Sequence, residues 1–579
     1  MLTLQDCVRC INTASRLKTL TLGLGVMLMP LSAVASSEQE TPKLILQITV
    51  DQLRGDMLNR YQHRFAKDGF NYLLNNGVVY KNAQHAHANT ETIVGHTTLS
   101  TGAYPANHGM VGNVWFDRSL GHSVYNIEDA RYPLLSADGD VNKKTEIDPT
   151  QKTASSSGRS PMNILVSTFS DELALTHNGK AKVFGVSVKD RGAVAMAGHA
   201  GKAFWFSKKS GEFVTSAFYY QDYPDWVKRY NAGEPTAQYA NQVWQLAKPQ
   251  ASYLFADNDD QEWEVAFPGF GRVFPHQYGA RDGKYFTTFL TLSPAGDELT
   301  ADFAKKLIEN EAIGQDEITD YLSVSFSSTD YVGHIFGPSS LEAEDNLLHL
   351  DSTLADLLSF IDDKVGLDNT VIVLSADHGS PESPEYLRAM GIDAQYVHPK
   401  EWHSNAAIEK IKQRFKIDEK DPLINKFQTP YLYLNSDTIA KYQLNTEQVQ
   451  TAVADEIAKL EGVAFSATSS DINQSLLPNT HVAKLVANNH HPQRSGDIYI
   501  VFKPHYFINE FDGLSVASSH GSPWRYDTLV PLIFAGKNIE SQTVARAVET
   551  VDIATTLATI AGTKQPSGSD GKVLTEVLE

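Results

Sequence analysis

A three-layer α/β/α sandwich with a mostly parallel central sheet and an inserted cap region is the fold class this sequence predicts. Two observations carry the prediction. Apolar, β-branched runs repeatedly end beside a charged residue, as strands do where they deliver side chains past the carboxyl edge of an open parallel sheet. Segments with a 3.6-residue apolar period alternate with those runs. The chain has 579 residues, 42% hydrophobic and 10% aromatic, which is enough for a large core.

Lys43–Val50 predicts the first strand and ends at Asp51. Asn163–Leu175 reads as a helix closing near Asn178-Gly179, and Val183–Val188 as a strand running into Lys189-Asp190-Arg191. Residues 200–300, rich in Tyr, Phe, Trp and Gly, predict loops and short strands lying over the core. Tyr321–Phe326 is the next strand, with Asp330 a few residues on. In Leu341–Ile361 the positions Leu347, Leu350, Leu354, Leu357, Leu358 and Ile361 fall on one helical face. Thr370–Ser375 then leads directly to Asp377-His378-Gly379. Residues 381–515 break the alternation. They hold a helix over Thr446–Leu460, opened by Asn445 with Gln448 three residues on as in a capping box, and a strand at Ile498–Phe502. The core resumes at Leu529–Ala535 and closes with a helix at Asp552–Ala561. The predicted division is a core of residues 36–380 and 516–579 with a cap of residues 381–515 inserted in it.

The N-terminus predicts a signal peptide over residues 1–35. Arg9, Arg16 and Lys18 precede the largely apolar run Leu20–Leu31, and Ala33-Val34-Ala35 offers a small-x-small cleavage site before polar residues. A run of about 12 residues is short of the roughly 20 needed to span a bilayer, so no stable membrane anchor is expected. Cys7 and Cys10 both fall in this leader, which leaves the mature chain without thiol or disulfide chemistry. A periplasmic or secreted protein follows. Its 69 acidic against 49 basic residues, net −20, exclude a backbone-reading nucleic-acid binder. They do not exclude a phosphate-handling enzyme, because bound metal can supply positive charge locally.

Asp51, Asp330, His334, Asp377, His378 and His520 all fall at strand ends or in loops beyond them. Gathered on one sheet edge they would carry unpaired negative charge unless cations sat among them. Mixed Asp/His ligation suits zinc. His85 and His87 have no ligand partner in this set and read as loop surface. His108 reads as shaping its own turn, and His490-His491 as structural.

The motifs run in order along nearly the whole mature chain. They are Val50-Asp51-Gln52, Thr92-Ile93-Val94-Gly95-His96, Thr101-Gly102-Ala103-Tyr104-Pro105 with Asn107-His108-Gly109, and Val188-Lys189-Asp190-Arg191-Gly192. Asp330-Tyr331-Val332-Gly333-His334, Ala376-Asp377-His378-Gly379 and Ser519-His520-Gly521 follow. Together they resemble the alkaline phosphatase superfamily, in particular the secreted, phosphate-irrepressible bacterial type with a Thr nucleophile and a Lys-x-Arg motif. The resemblance implies two zinc ions, one held by Asp330, His334 and His520, the other by Asp51, Asp377 and His378. It implies that Thr92, bonded to the second zinc, attacks phosphorus and forms a phosphothreonine. Asn113, Lys189 and Arg191 would bind the phosphoryl oxygens, and small-molecule phosphate monoesters would be the substrates. The oligomeric state stays open.

Three other readings compete. Sulfatases oxidise a Cys or Ser in a Cys/Ser-x-Pro-x-Arg motif, whereas this chain has Thr92-Ile93-Val94-Gly95. Nucleotide pyrophosphatases and phosphodiesterases share the two metals and the Thr nucleophile and are the main alternative. An exported, non-enzymatic phosphate-ester binding protein would require a lost nucleophile or ligand, and none is lost.

Overall fold

Leu44–Val50 is buried along its whole length, and its side chains serve two cores. Leu44, Leu46, Ile48 and Val50 join one apolar cluster while Ile45 joins another. A strand apolar on both faces belongs at the centre of a sheet covered by helices on both sides. The computed structural model, which describes residues 41–398, 406–511 and 514–579, puts it there. Leu44–Val50 lies between Thr370–Ser375 and Asp320–Phe326, parallel to both. Val183–Ser187 and Lys202–Ser207 extend the parallel run. On the other side Leu529–Gly536 enters antiparallel against Thr370–Ser375, and Gly77–Gln84 pairs antiparallel with it. Gln542–Val544, Val548–Glu549 and Glu212–Val214 complete ten strands at the edges.

Helices Pro294–Glu311 and Leu341–Lys364 cover one face, setting Phe303, Leu307, Leu350 and Leu354 against Leu46 and Val324. Phe169–Thr176 and Asp552–Ile560 cover the other, with Leu173, Ile553 and Leu557 against Ile45, Val371 and Val373. The result is three layers.

Between Thr370–Ser375 and Leu529–Gly536 the chain forms a second, four-stranded antiparallel sheet. Its order is Ile424–Gln428, Tyr431–Leu434, Ile498–Phe502, Val463–Thr468. Helix Thr446–Ile457 backs it, its N-terminus capped by the Asn445 side chain, which accepts from Gln448 N at 2.9 Å. Leu432, Ile498 and Ile500 pack on that helix through Val449 and Val453. Tyr431, Tyr433, Tyr499 and Val501 belong to a different cluster with Ile93, Val94 and Met110. Strand alternation thus ties this sheet to the helix that begins at Thr92.

Two sequence expectations change. The helix expected over 163–175 is shorter, Phe169–Thr176. Thr168 Oγ1 accepts from Asp171 N at 3.1 Å and Asp171 Oδ2 accepts from Thr168 N at 2.9 Å, a reciprocal cap that starts the helix there. Part of the 200–300 stretch belongs to the central sheet. Lys202–Ser207 and Glu212–Val214 pair antiparallel at its edge, and Phe213 stacks on Phe303 at 4.1 Å between ring centroids. The aromatic residues that suggested covering loops are core.

The leader expected over residues 1–35, with Cys7 and Cys10, lies outside the described residues. Among the described residues no helix is long and apolar enough to cross a membrane.

Candidate active site

Strand register builds the site. Val50 sits opposite Phe326, Thr49 opposite Ser375, and Ser325 opposite Ser187. These four strands end level, so Asp51, Asp377-His378 and the segments carrying Asp330 and Lys189 emerge above one edge. Lys189, just past its strand, is the cap of helix Asp190–Ala197. Asp330 and His334 lie one turn apart on helix Ser328–Phe336.

Two glycines leave room for close contacts, Gly95 for the backbone of Asp377 and Gly333 for the Gln52 side chain. A Cβ on Gly95 would lie 2.0 Å from the Asp377 carbonyl oxygen, and one on Gly333 would lie 1.9 Å from Gln52 Oε1. Gln52 itself turns the chain at φ 69°. Its backbone N–H donates to Asp377 Oδ1 at 3.1 Å and its side chain to Asp330 Oδ1 at 2.8 Å. The sequence reading quoted Gln52 in a motif and gave it no role.

Three histidines share one arrangement. Nδ1 of His334 lies 2.7 Å from Ser518 O, Nδ1 of His520 2.7 Å from Thr90 O, and Nδ1 of His378 3.0 Å from Gly379 O. A carbonyl accepts only, so each Nδ1 carries the proton and each Nε2 presents a lone pair. Those lone pairs face carboxylates. His334 Nε2 is 3.2 Å and His520 Nε2 3.4 Å from Asp330 Oδ1. His378 Nε2 is 3.4 Å from Asp51 Oδ1 and 3.5 Å from Asp377 Oδ2. Buried acceptors facing acceptors repel unless a cation lies between them. Burial pushes His378 well below the ordinary imidazole value, against the pull of Asp377, and lowers His520, so protonation of these two rings is not the remedy. His378 Nε2, Asp51 Oδ1 and Asp377 Oδ2 are buried without a hydrogen-bond partner among the described residues. This donor set suits a divalent metal, each histidine oriented by a carbonyl on its other nitrogen.

Two groups have ligand atoms close enough to share an ion: Asp330, His334 and His520, and Asp51, Asp330 and His378. Asp330 borders both, and Asp377 adjoins the second through His378. Burial and the Asp377 charge push the Asp51 carboxyl well above its ordinary value. Burial would raise Asp330 as well, but the Lys189 ammonium beside it helps hold it well below. Lys189 Nζ bridges the two acids, 2.7 Å from Asp51 Oδ2 and in contact with Asp330 Oδ2. Burial alone would lower this ammonium; Asp330 and Asp51 instead raise it.

Thr92 is the first residue of helix Thr92–Thr101 and is buried. Its Oγ1 is 3.4 Å from Arg191 Nη2. Asn113 Oδ1 accepts from Ile93 N at 3.1 Å, which fixes the side-chain amide beside the same helix end. Asn113 N in turn donates to the Glu91 carboxylate, a group that burial pushes up to about 7. Lys189 and Arg191 therefore are not a solvated pair bridged to Asp190. Both are buried, and Asp190 is taken by Arg159 at 2.8 Å and by the Tyr125 hydroxyl at 2.6 Å. Arg191 pairs instead with Asp148, a residue the sequence reading missed; only the Asp148-Pro149 helix-start signal stood there.

Other histidines resolve differently. His85 and His87 are buried, not surface, with His85 Nε2 2.9 Å from Ala376 O and His87 Nε2 3.2 Å from His85 Nδ1. His108 Nδ1 accepts from Met110 N at 3.1 Å inside its own turn. His490 is buried at the end of helix His481–Asn489, and burial lowers it to about 4.

Comparison with known proteins places this geometry. The family model described as type I phosphodiesterase / nucleotide pyrophosphatase matches residues 45–523. The chain is 34% identical to the alkaline phosphatase PafA of Elizabethkingia meningoseptica, covering 96% of this chain and 98% of that one. It is 33% identical to a Myroides odoratus protein named calcium-transporting ATPase, covering 95% of this chain and 97% of the relative. A crystal structure of alkaline phosphatase PafA superposes with a TM-score of 0.84 at 33% identity, covering 93% of this chain and 99% of that chain.

Proposed function

This chain belongs to the type I phosphodiesterase / nucleotide pyrophosphatase family, in the alkaline phosphatase superfamily, and we propose that it hydrolyses small-molecule phosphate monoesters through a phosphothreonine on Thr92. The observation that carries the reading is the set of three histidine lone pairs turned on Asp51, Asp330 and Asp377 beside a buried hydroxyl and two buried cations. A transport reading, which the name of the Myroides relative suggests, has no counterpart in that set.

Asp330, His334 and His520 would hold one divalent ion, and Asp51, Asp377 and His378, with Thr92, the other. We take both to be zinc. When bound, such ions supply Lewis-acid charge for the attacking and leaving oxygens. Thr92 Oγ1 forms the new P–O bond as the ester P–O bond breaks, releasing the alcohol. Water then cleaves the phosphothreonine to give phosphate and regenerate the hydroxyl. Arg191, Lys189 and the Asn113 amide bind the non-bridging oxygens, where charge must be met by fixed donors. The Ala33-Val34-Ala35 site supports an exported mature enzyme beginning near Ser36, which N-terminal sequencing of the extracellular form would check.

The family model also covers diesterases. The buried Arg191 beside Thr92, with Lys189 on Asp51 and Asp330, favours a monoester dianion, which presents one more unesterified oxygen than a diester. Acid quenching of the enzyme with a radiolabelled monoester tests the covalent step. Label at Thr92 supports it, and turnover without any labelled protein would show direct attack by water.

A further inference from the structure

The cavity lined by Arg191 and Asn113 opens into a larger one. The inner cavity, about 100 Å³, is bounded by Asn113, Arg191, Asp330 and His334. The outer, about 260 Å³, shares Glu91, Pro149, Thr150, Ser519 and His520 with it, so the two form one cleft with His520 at the neck. The far wall of the outer cavity comes from the second sheet and the segment after it: Gln428, Thr429, Phe502, Tyr506, Phe507 and Ile508.

These rings are held in place. Tyr506–Phe507 pairs in parallel with Gln395–Tyr396, and Phe507 meets Tyr396 edge to face at 5.4 Å. The Tyr506 hydroxyl donates to Asp393 at 3.0 Å. Tyr526, also on the wall, accepts from His505 N through its hydroxyl at 2.9 Å, and Trp524 Nε1 fixes the Phe502 carbonyl at 2.9 Å. A preformed wall spends little ordering entropy on its occupant. Its charge is equally telling. Among the described residues no Lys or Arg lines this outer cavity, so nothing there offers an anion a counter-charge.

An ester whose phosphoryl group is held by Arg191 and Asn113 projects its organic half through the neck into this space. We propose that the outer cavity is the binding site for that half and selects an uncharged aromatic group over a small alkyl or anionic one. The proposal rests on the phosphomonoesterase reading above.

Benzyl phosphate and ethyl phosphate test it, because both release a primary alcohol and differ chiefly in the ring. With the metal-loaded enzyme, kcat/KM for benzyl phosphate should exceed that for ethyl phosphate by about tenfold or more, the scale of a filled apolar subsite. A 4-carboxybenzyl ester should lose that advantage. Phe507→Ala should bring the benzyl-to-ethyl ratio towards one. Thr429→Trp, which fills the cavity from another segment of the same wall and leaves Phe507 in place, should do the same. Equal rates on the two esters in the unaltered enzyme, or ratios unmoved in both variants, would overturn the proposal. Failure to hydrolyse either ester would instead overturn the phosphatase reading beneath the proposal.

Discussion

Asp148 Oδ2 lies 2.7 Å from Arg191 Nη1, and this buried pair sets where the guanidinium points. Asp148 is itself held, its Oδ1 accepting from Thr150 N at 2.9 Å and Thr150 Oγ1 at 2.6 Å as the cap of helix Pro149–Thr153. Burial alone would raise this carboxyl, but Arg191 and Lys208 hold it well below the usual carboxylate range. Arg191 therefore reaches Thr92 Oγ1 from a fixed base. Asp148→Asn should lower kcat/KM on monoesters by about tenfold or more, on the scale of one charged hydrogen bond of roughly 1.5–3 kcal/mol. Steady-state kinetics check it, and Asp148→Glu should recover part of the loss.

Thr92→Ala should keep its metal content and lose most turnover, since no covalent intermediate can form. Thr92→Ser should retain appreciable activity. Rates and metal analysis of both variants decide this, and an Ala variant with undiminished activity would assign the first attack to water.

Metal removal should act on stability as well as activity. Without cations, the Nε2 atoms of His334, His378 and His520 face carboxylate oxygens at 3.2–3.5 Å. Chelation should abolish turnover and lower the melting temperature, and zinc should restore both. His520→Ala should fold and bind less metal.

Asp297 offers a pH test away from the reacting groups. Its Oδ1 accepts from Ser328 N at 3.0 Å, its Oδ2 is unpartnered among the described residues, and burial pushes it up to about 7. The folded state therefore binds its proton more tightly than the unfolded chain. Stability from this group is full below the unfolded carboxylate value near 4 and is lost as pH rises to about 7. Three pH units correspond to roughly 4 kcal/mol. Asp297→Asn keeps the acceptor and removes the charge. Its melting temperature at pH 9 should exceed that of the parent chain, with the difference shrinking towards pH 4.

Strand-end acids were legible because they follow uninterrupted apolar runs, so Asp51, Asp330 and Asp377 could be placed before any geometry was known. His520 was legible only through its Ser519-His520-Gly521 motif, since no strand runs directly into it. The central strands and the long helix at Leu341–Lys364 were legible for the same reason of clear periodicity. Asp148 was not, because its role depends on a loop meeting Arg191 across 43 positions. Nor were His85 and His87, whose burial comes from packing beneath Ala376 and Asn89 and not from any local pattern. The strands Lys202–Ser207 and Glu212–Val214 were obscured by aromatic residues that serve the core as well as they would serve loops.

Rates on a monoester and a diester of the same alcohol, measured with the purified zinc-loaded enzyme and its Lys189→Ala and Arg191→Ala variants, test the central claim most directly. On the proposed reading Lys189 and Arg191 would fill the place where a diester needs room for its second organic group, and losing either should slow monoester hydrolysis by about ten- to a hundredfold. The parent enzyme should be faster on the monoester, with the preference narrowed in both variants. A parent enzyme faster on the diester would contradict it and make this chain a phosphodiesterase.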